Sequence, residues 1–463
     1  MNTKTLLRIA SFLLALLAGL SFTACKDSRS DFISTETTAA EFVAATEEEL
    51  HSVVAKTEHY ELSLAVYALM FENVASSNSS ALSAYYGVDF SKKLREQEAE
   101  EGVSWFSYLM DQIVVPTVQE MVLSCEAAQK AGISLNEEEL KIVEDAVKEN
   151  VETLPPGARE EDLRLIMHMS SLAMKYQSEL YNSFTYTEED YEKYLSENYR
   201  TLADAVQYGY LLDLSEEDDV DAVLAKTEAL KDAADDDTYF AVLAAVIGDV
   251  VTDETKTPEQ AAKSTMAAST LPDTEAADWA YAEGRAVGDV FTKYNEEKKT
   301  VLIVRIKEVP SPDETETINV RHILALTESH ETKEEARRLA EEWYEEWKSG
   351  NATENSFAVL AEKYTEDPGS STNGGLYASV TPGQMVTEFN DWCFDPARKE
   401  GDTGIVDTSY GSHVMYFSGR GLPVWKNTAD KALRDADYEK AFTEALGKET
   451  VTPDAALLAK LDY

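Results

Sequence analysis

One passage of this chain is written twice. Residues 278–289 (D-W-A-Y-A-E-G-R-A-V-G-D) lie over residues 391–402 (D-W-C-F-D-P-A-R-K-E-G-D) without a gap, sharing Asp, Trp, Gly and Asp. The same spacing sets V-L-I-V (301–304) on V-M-Y-F (414–417). Upstream, Y-G-Y-L-L (208–212) falls on V-R-H-I-L (320–324), and F-A-V-L occurs at both 240–243 and 357–360. Self-similarity over such a length obliges each copy to be one unit of the same architecture. The copies are expected over 200–310 and 316–423. E-V-P-S-P-D-E-T-E-T (308–317), with two prolines and no apolar periodicity, reads as the linker between them.

The second copy opens on N-V-R-H-I-L (319–324) and closes on G-S-H-V-M-Y-F (411–417), with G-G-L-Y (374–377) and G-Q-M-V-T-E-F (383–389) between. A lone strand histidine is usually structural, and Met with Phe on a helix is usually core. Two strand histidines, a glycine pair and M-x-x-x-F in this order are a more specific set. Over 316–423 the chain resembles a parvulin-type peptidyl-prolyl cis/trans isomerase. The resemblance implies an α+β domain, a small antiparallel sheet flanked by helices. It implies that His322 and His413 lie on neighbouring strands, hydrogen-bonded to each other and to Thr408. Met385 and Phe389, four apart on one helix face, would form the proline pocket with Leu376 as a third wall. Asp367, in Y-T-E-D, falls near the substrate carbonyl. One residue is inserted between Gly374 and Met385 relative to the shortest family members, and Tyr377 stands where glycine is usual. No cofactor and no metal is implied, because turning an X-Pro bond breaks amide resonance against a barrier of ~18–20 kcal/mol without making or breaking a bond. Members that prefer phosphopeptides carry a basic cluster after the first strand; here A-L-T-E-S-H-E-T-K-E-E (325–335) is net acidic, so no such preference is expected. The first copy has Tyr210 and Thr300 at the histidine positions and lacks both G-G-L-Y and M-x-x-x-F, so it is expected to be degenerate, a fold without the chemistry.

Residues 42–199 carry helical signals throughout. L-S-L-A-V-Y-A-L-M-F (62–71) is apolar on almost every side, as a central helix would be. Pro116 should interrupt or kink the helix over 105–123. Gly132 stops a helix, and Asn136 and Thr187 are placed to cap helices with acidic first turns. This layout is similar to the chaperone part of extracytoplasmic foldases of the SurA and PrsA kind, which implies a domain that holds unfolded or partly folded secreted proteins with X-Pro bonds. A bland spacer is the competing reading. After the second copy, K-A-L-R-D-A-D-Y-E-K-A-F-T-E-A-L (431–446) is amphipathic; in the resembled foldases such a helix returns to the helical domain, which assigns 424–463 to that role.

The first residues differ from the rest. Lys4 and Arg8 precede a run of twelve mostly apolar residues (9–20), and small residues lead to Cys25. That is a signal peptide over 1–24, too short for a membrane span of about 20 residues. F-T-A-C resembles a bacterial lipobox, which implies a diacylated Cys25 as the mature first residue, membrane attachment through that lipid and an extracytoplasmic location; ordinary secretion is the alternative. Residues 25–41 would be the lipidated cysteine and its tether. A net charge of -46, from 41 basic and 87 acidic residues, argues against nucleic acid as a partner. Cys125 and Cys393 have no ligand-spaced neighbours and read as packed side chains, with a long-range disulfide left open. S-E-E-D-D-V-D (215–221) lacks the glycine and last glutamate of a calcium loop and reads as a solvated helix start. The functional expectation is an isomerase and foldase that is not phospho-specific. The alternative is a holdase whose parvulin copies are scaffold.

Overall fold

The computed structural model describes residues 46–463 except 156, 205, 217, 251–259, 261, 262, 264, 268–270, 272, 372, 448, 449 and 462. The expected signal peptide, Cys25 and the expected tether lie outside the described residues, as does most of the polar middle of the first copy. The chain divides into two compact units, Met1–Thr185 with Arg434–Tyr463, and Tyr186–Leu433. No helix among the described residues is long and apolar enough to cross a membrane.

In the first unit α1 (Leu64–Tyr86) starts on a Ser63 cap and buries Leu64 through Ala68, Met70 and Phe71 on successive faces. Its central position follows from that all-round apolarity. The interruption at Pro116 takes a definite form. α2 (Trp105–Leu109) passes through a π turn (Met110–Val114) into α3 (Val115–Ala131), with Pro116 in the first turn of α3. Proline cannot donate to the carbonyl four residues back, and the wider turn absorbs its ring. The Thr117 hydroxyl then donates to the Ile113 carbonyl at 2.7 Å. α4 (Glu137–Asn150) is capped by Asn136, which accepts from the Glu139 N–H at 2.9 Å, and α5 (Glu160–Ser183) follows. Helix throughout is not what is found. Two short antiparallel hairpins, β1 (Val53–Lys56) with β2 (Glu61–Ser63) and β3 (Glu98–Glu100) with β4 (Val103–Ser104), interrupt it. Strands of two to four residues carry no legible period.

The second unit begins with α6 (Glu188–Glu197), whose Thr187 and Asp190 form a reciprocal capping box. β5 (Ala203–Asp204) pairs with β10 (Ser311–Pro312), closing the first copy off from the second. Between them lie β6 (Val206–Asp213), α7 (Val220–Glu228), α8 (Asp236–Val250), β7 (Thr265–Ala267), α9 (Thr274–Ala280), β8 (Val290–Asn295) and β9 (Thr300–Ile306). The second copy runs β11 (Glu316–Leu326), α10 (Lys333–Ser349), α11 (Glu354–Tyr364), β12 (Leu376–Val380), α12 (Thr387–Cys393), β13 (Thr403–Asp407) and β14 (Gly411–Pro423). The sheets are antiparallel with matching orders, β7-β6-β9-β8 and β12-β11-β14-β13. Each sheet has two long helices on one face and a short helix on the other, so the fold is α+β.

The copies share side-chain devices as well as strand order. Arg398 lies over the Trp392 ring at 3.9 Å and pairs with Asp402 at 3.7 Å. Arg285 lies over Trp279 at 5.1 Å and pairs with Asp289 at 3.5 Å. In both, the Gly-Asp that ends the repeated passage is bonded to a strand: Gly401 N–H to the Phe417 carbonyl at 2.9 Å, and Gly288 N–H to the Ile306 carbonyl at 2.8 Å. Ile306 therefore stands where Phe417 does. The ladders run from there, with Val320, His322 and Leu324 opposite Phe417, Met415 and His413, and Gln207, Gly209 and Leu211 opposite Ile306, Val304 and Leu302. The residues at the histidine positions are Gly209 and Leu302. Tyr210 and Thr300 are not their equivalents: a one-residue slip along a strand moves a side chain to the other face, and Tyr210 packs with α7 and α8.

α13 (Val424–Leu446) leaves β14, and its residues from Arg434 onward belong to the first unit. There Tyr438 meets Tyr181 edge-on at 5.6 Å, and the Tyr181 hydroxyl donates to Asp435 at 2.9 Å. Beyond α13, α14 (Ala455–Leu458) and its flanks bury Val451, Leu458 and Leu461 among the helices, and the Tyr463 ring lies 4.6 Å from that of Phe71.

Candidate active site

β11 and β14 are neighbours, so their alternate residues share a face, and His322 and His413 point the same way. Their Nδ1 atoms are 3.0 Å apart and the rings stack at 5.2 Å. Both are buried, at 2% and 5% exposure, so every ring nitrogen needs a partner. His413 Nε2 is 2.9 Å from the Thr408 hydroxyl, on the turn after β13. His322 Nε2 is 2.9 Å from Asp367 Oδ2 and 3.1 Å from Ser370 Oγ. Burial, with His322 alongside, pushes His413 down to about 3, so its ring is neutral at pH 7. Burial alone would raise Asp367, but hydrogen bonds from His322, Ser370 and Tyr377 outweigh it and hold the carboxyl well below its usual range.

Phe389 covers this floor. It is buried, and its ring meets His322 at 5.6 Å and His413 at 5.5 Å, edge-on to both. Half-buried Met385 packs in the same cluster with Ile318, Val320, Val380 and Met415. Leu376 is not brought to this face. It pairs with Arg321, whose side chain reaches Glu354 on α11, whereas Tyr377 pairs with Val320 and packs beside Phe389. Strand alternation puts Leu376 and Tyr377 on opposite faces, so it is Tyr377 that stands on the face with Met385 and Phe389. Its hydroxyl donates to Asp367 Oδ2 at 2.9 Å, and its ring lies 5.2 Å from His322.

The glycine pair permits this approach. Gly374 and Gly375 have φ of 67° and 72°, and a Cβ on Gly375 would lie 2.2 Å from the His322 carbonyl oxygen. The Gly375 carbonyl instead accepts from the His322 N–H at 2.8 Å. Arg321 holds the turn from the other face, donating to the carbonyls of Asn373 at 2.9 Å and Gly374 at 3.0 Å.

Residues 302–420 match the family described as PPIC-type PPIASE domain. The second copy is a parvulin-type domain. A chaperone SurA of Pseudomonas savastanoi pv. phaseolicola is 37% identical over 103 residues, which cover 22% of this chain and 23% of that protein. Foldase protein PrsA 1 of Listeria innocua is 35% identical over 98 residues, covering 21% of this chain and 29% of that protein. The chain thus spans about a quarter of the length of the curated relatives it matches. The solved structure of PrsA from Bacillus subtilis aligns over 89% of this chain and 98% of that one at 14% identity with a TM-score of 0.27, too low to bear on the fold.

Within the parvulin domain the structure brings together His322, Asp367, His413, Thr408, Met385 and Phe389, and adds Tyr377 and Ser370, which sequence reasoning missed. The Val320–Tyr377 pairing needed to find Tyr377 is not written in the residues themselves. Cys393, buried beneath Phe389, is free and pushed up to about 12 by burial, so it offers no thiolate. Cys125 is also free and buried. Among the described residues, Glu58, His59 and Glu126 of the first unit lie close enough to share an ion. Glu126 is already bonded, accepting from the Thr57 hydroxyl at 2.6 Å and the His59 N–H at 2.8 Å, with His59 Nδ1 2.6 Å away. That arrangement docks the β1–β2 turn on α3.

Proposed function

We propose that this chain is an extracytoplasmic peptidyl-prolyl cis/trans isomerase and foldase that assists secreted proteins and has no preference for phosphopeptides. The observation that carries it is the Thr408–His413–His322–Asp367 chain, its two histidines buried under Phe389, in a domain that matches the PPIC-type family. Met385, Phe389 and Tyr377 grip the proline ring in a dry pocket. The polar floor favours the twisted amide, whose nitrogen has lost conjugation, over the planar one. Since the reaction is a rotation, no nucleophile is called for, and a fully bonded Asp367 suits electrostatic positioning.

The first copy takes no part in the chemistry on this reading, because Gly209 and Leu302 replace the histidines and Ala276 replaces Phe389. The helical unit holds the client. Tyr85 and Tyr86 support that role, standing 83% and 69% exposed at the end of α1. The same exposure favours a second reading, a holdase with the parvulin copies as scaffold. F-T-A-C supports lipid attachment at Cys25 on the outer side of a membrane, two acyl chains giving the stable anchoring that one does not. Equal uptake of labelled fatty acid by a Cys25→Ala form would reject that part.

The deciding experiment measures isomerisation of a short X-Pro peptide by the full chain beside suppression of aggregation of an unfolded client. Catalysis that Met385→Ala diminishes supports the isomerase. Aggregation suppression without catalysis supports the holdase.

A further inference from the structure

Asp367 sits in a cage assembled from a very short stretch of sequence. Its Oδ2 accepts from Ser370 Oγ at 2.6 Å and from Tyr377 Oη at 2.9 Å, and lies 2.9 Å from His322 Nε2. Its Oδ1 accepts from the Gly369 N–H at 3.2 Å. Ser370 is completely buried. Gly369 is small for a reason of space: a Cβ there would lie 2.7 Å from Tyr377 Oη and 3.4 Å from Asp367 Oδ1. Asp, Gly, Ser and Tyr at 367, 369, 370 and 377 therefore fit one another as a set.

We infer that Tyr377 and Ser370 are positioning residues of the isomerase site, which keep Asp367 an anion and so fix which nitrogen of His322 carries the proton. The inference rests on the proposed function only for its consequence in catalysis. The logic is one of donors and acceptors. Two hydroxyl donors on Oδ2 and a backbone N–H on Oδ1 suit the ionised, acceptor-only carboxylate. Both hydroxyls spend their single proton on Asp367, so the His322 nitrogen facing them donates as well, as Nε2–H. With one proton on the ring, His322 Nδ1 is an acceptor, and His413 supplies Nδ1–H across the 3.0 Å contact. His413 Nε2 then accepts the Thr408 hydroxyl proton. Every bond in the chain points from Thr408 to Asp367, and reversing one reverses all. The charged and titratable groups around Asp367 are His322 and Tyr377; His413 lies behind His322, with Asp407 and its partner Arg337 beyond.

The test uses the full chain with ¹⁵N-labelled histidine, His322 being assigned by loss of its signals in His322→Gln. The wild type shows a protonated Nε2 and a bare Nδ1 on His322. Tyr377→Phe keeps the ring against His322 and removes only the hydroxyl. It is expected to mix the two His322 tautomers, to move the acid limb of the activity profile to higher pH, and to lower kcat on the order of tenfold, the size of one hydrogen bond to a charged acceptor, with KM unchanged. Ser370→Ala should do the same, and the pair together more. A Tyr377→Phe form whose His322 tautomer and acid limb stay where they were overturns the inference, since a packing role would survive that change. A wild type with the fixed tautomer, lost in Tyr377→Phe, but with no catalysis on any X-Pro peptide, leaves the positioning intact and removes the proposed function instead.

Discussion

The neutral His413 makes the parvulin domain acid-sensitive between pH 7 and pH 5. Its ring is 5% exposed and its pKa lies near 3, against an ordinary 6.5. Below pH 6.5 the unfolded chain takes up a proton at this position and the folded one does not, so stability present above 6.5 is lost as the pH falls. From pH 7 to pH 5 the loss is about 1.5 pH units at ~1.36 kcal/mol each, or about 2 kcal/mol. Asp367 and Asp407 do not blur this window: both are held below the usual carboxylate range and stay charged throughout it. His59 and His168 shift in opposite directions, but both belong to the first unit. The assay is therefore local: native-state hydrogen exchange of the β11 and β14 amides in the full chain at the two pH values, corrected for intrinsic rates. His413→Asn removes the titrating ring and keeps a side chain able to meet Thr408. It should abolish most of the slope. If the variant loses the same ~2 kcal/mol of protection between pH 7 and pH 5, the ring is not the group responsible.

Met385→Ala, at a half-buried position, should cut kcat/KM on every X-Pro peptide with little loss of fold, whereas Phe389→Ala should also destabilise the domain by about 3–5 kcal/mol, which urea unfolding would register. Gly375→Ala forces a side chain into the His322 carbonyl at a positive φ, and should cost at least ~2 kcal/mol and most of the activity. Cys393→Ser should leave kcat unchanged while lowering stability by about 1–3 kcal/mol, an oxygen having replaced sulfur in a dry cluster. Glu72 is pushed up to about 7 by burial, so the stability tied to its protonated form is present below its unfolded value of 4.5 and lost as pH rises toward 7; Glu72→Gln should stabilise the first unit at pH 8 by about 1 kcal/mol, partial exposure having reduced the effect, and make no difference at pH 4 in thermal melts.

How much of this was legible in the residues depended on whether a feature was local. Caps at Asn136 and Thr187 follow from one side chain and the next turn. The kink at Pro116 was readable, but its form was not, since a π turn depends on what the surrounding helices tolerate. M-x-x-x-F and the two histidines were readable because a family pattern carries them. Leu376 was misplaced because its face is set by pairing with Arg321 across the sheet, an interaction fifty-five positions away in the chain. Tyr210 and Thr300 failed for the same reason. The Phe-Ala-Val-Leu identity also misled: Phe357 is fully buried, but the fully buried aromatic of α8 is Tyr239, one residue before Phe240.

What the two copies kept and lost separates the needs of the fold from those of the site. Both keep the Trp–Arg–Asp clip and the Gly-Asp bonds to a strand, which fasten the passage after the short helix to the sheet edge. Such contacts hold the sheet order whatever lies on the opposite face. At the site positions the second copy has His322, His413 and Phe389, and the first has Gly209, Leu302 and Ala276. A buried histidine pair with incomplete partners is costly, because each unsatisfied nitrogen loses its hydration without compensation. Once one member of the Thr408-to-Asp367 chain is absent, the others become liabilities, so the polar set is stable either whole or replaced by apolar and small residues. The first copy is the replaced state: Leu302 and Val304 pack with Ala276, Trp279 and Phe291 where the second copy has its floor. Restoring chemistry there by Gly209→His alone should therefore destabilise the unit without giving activity, because that imidazole would meet Leu302 where the second copy has His413.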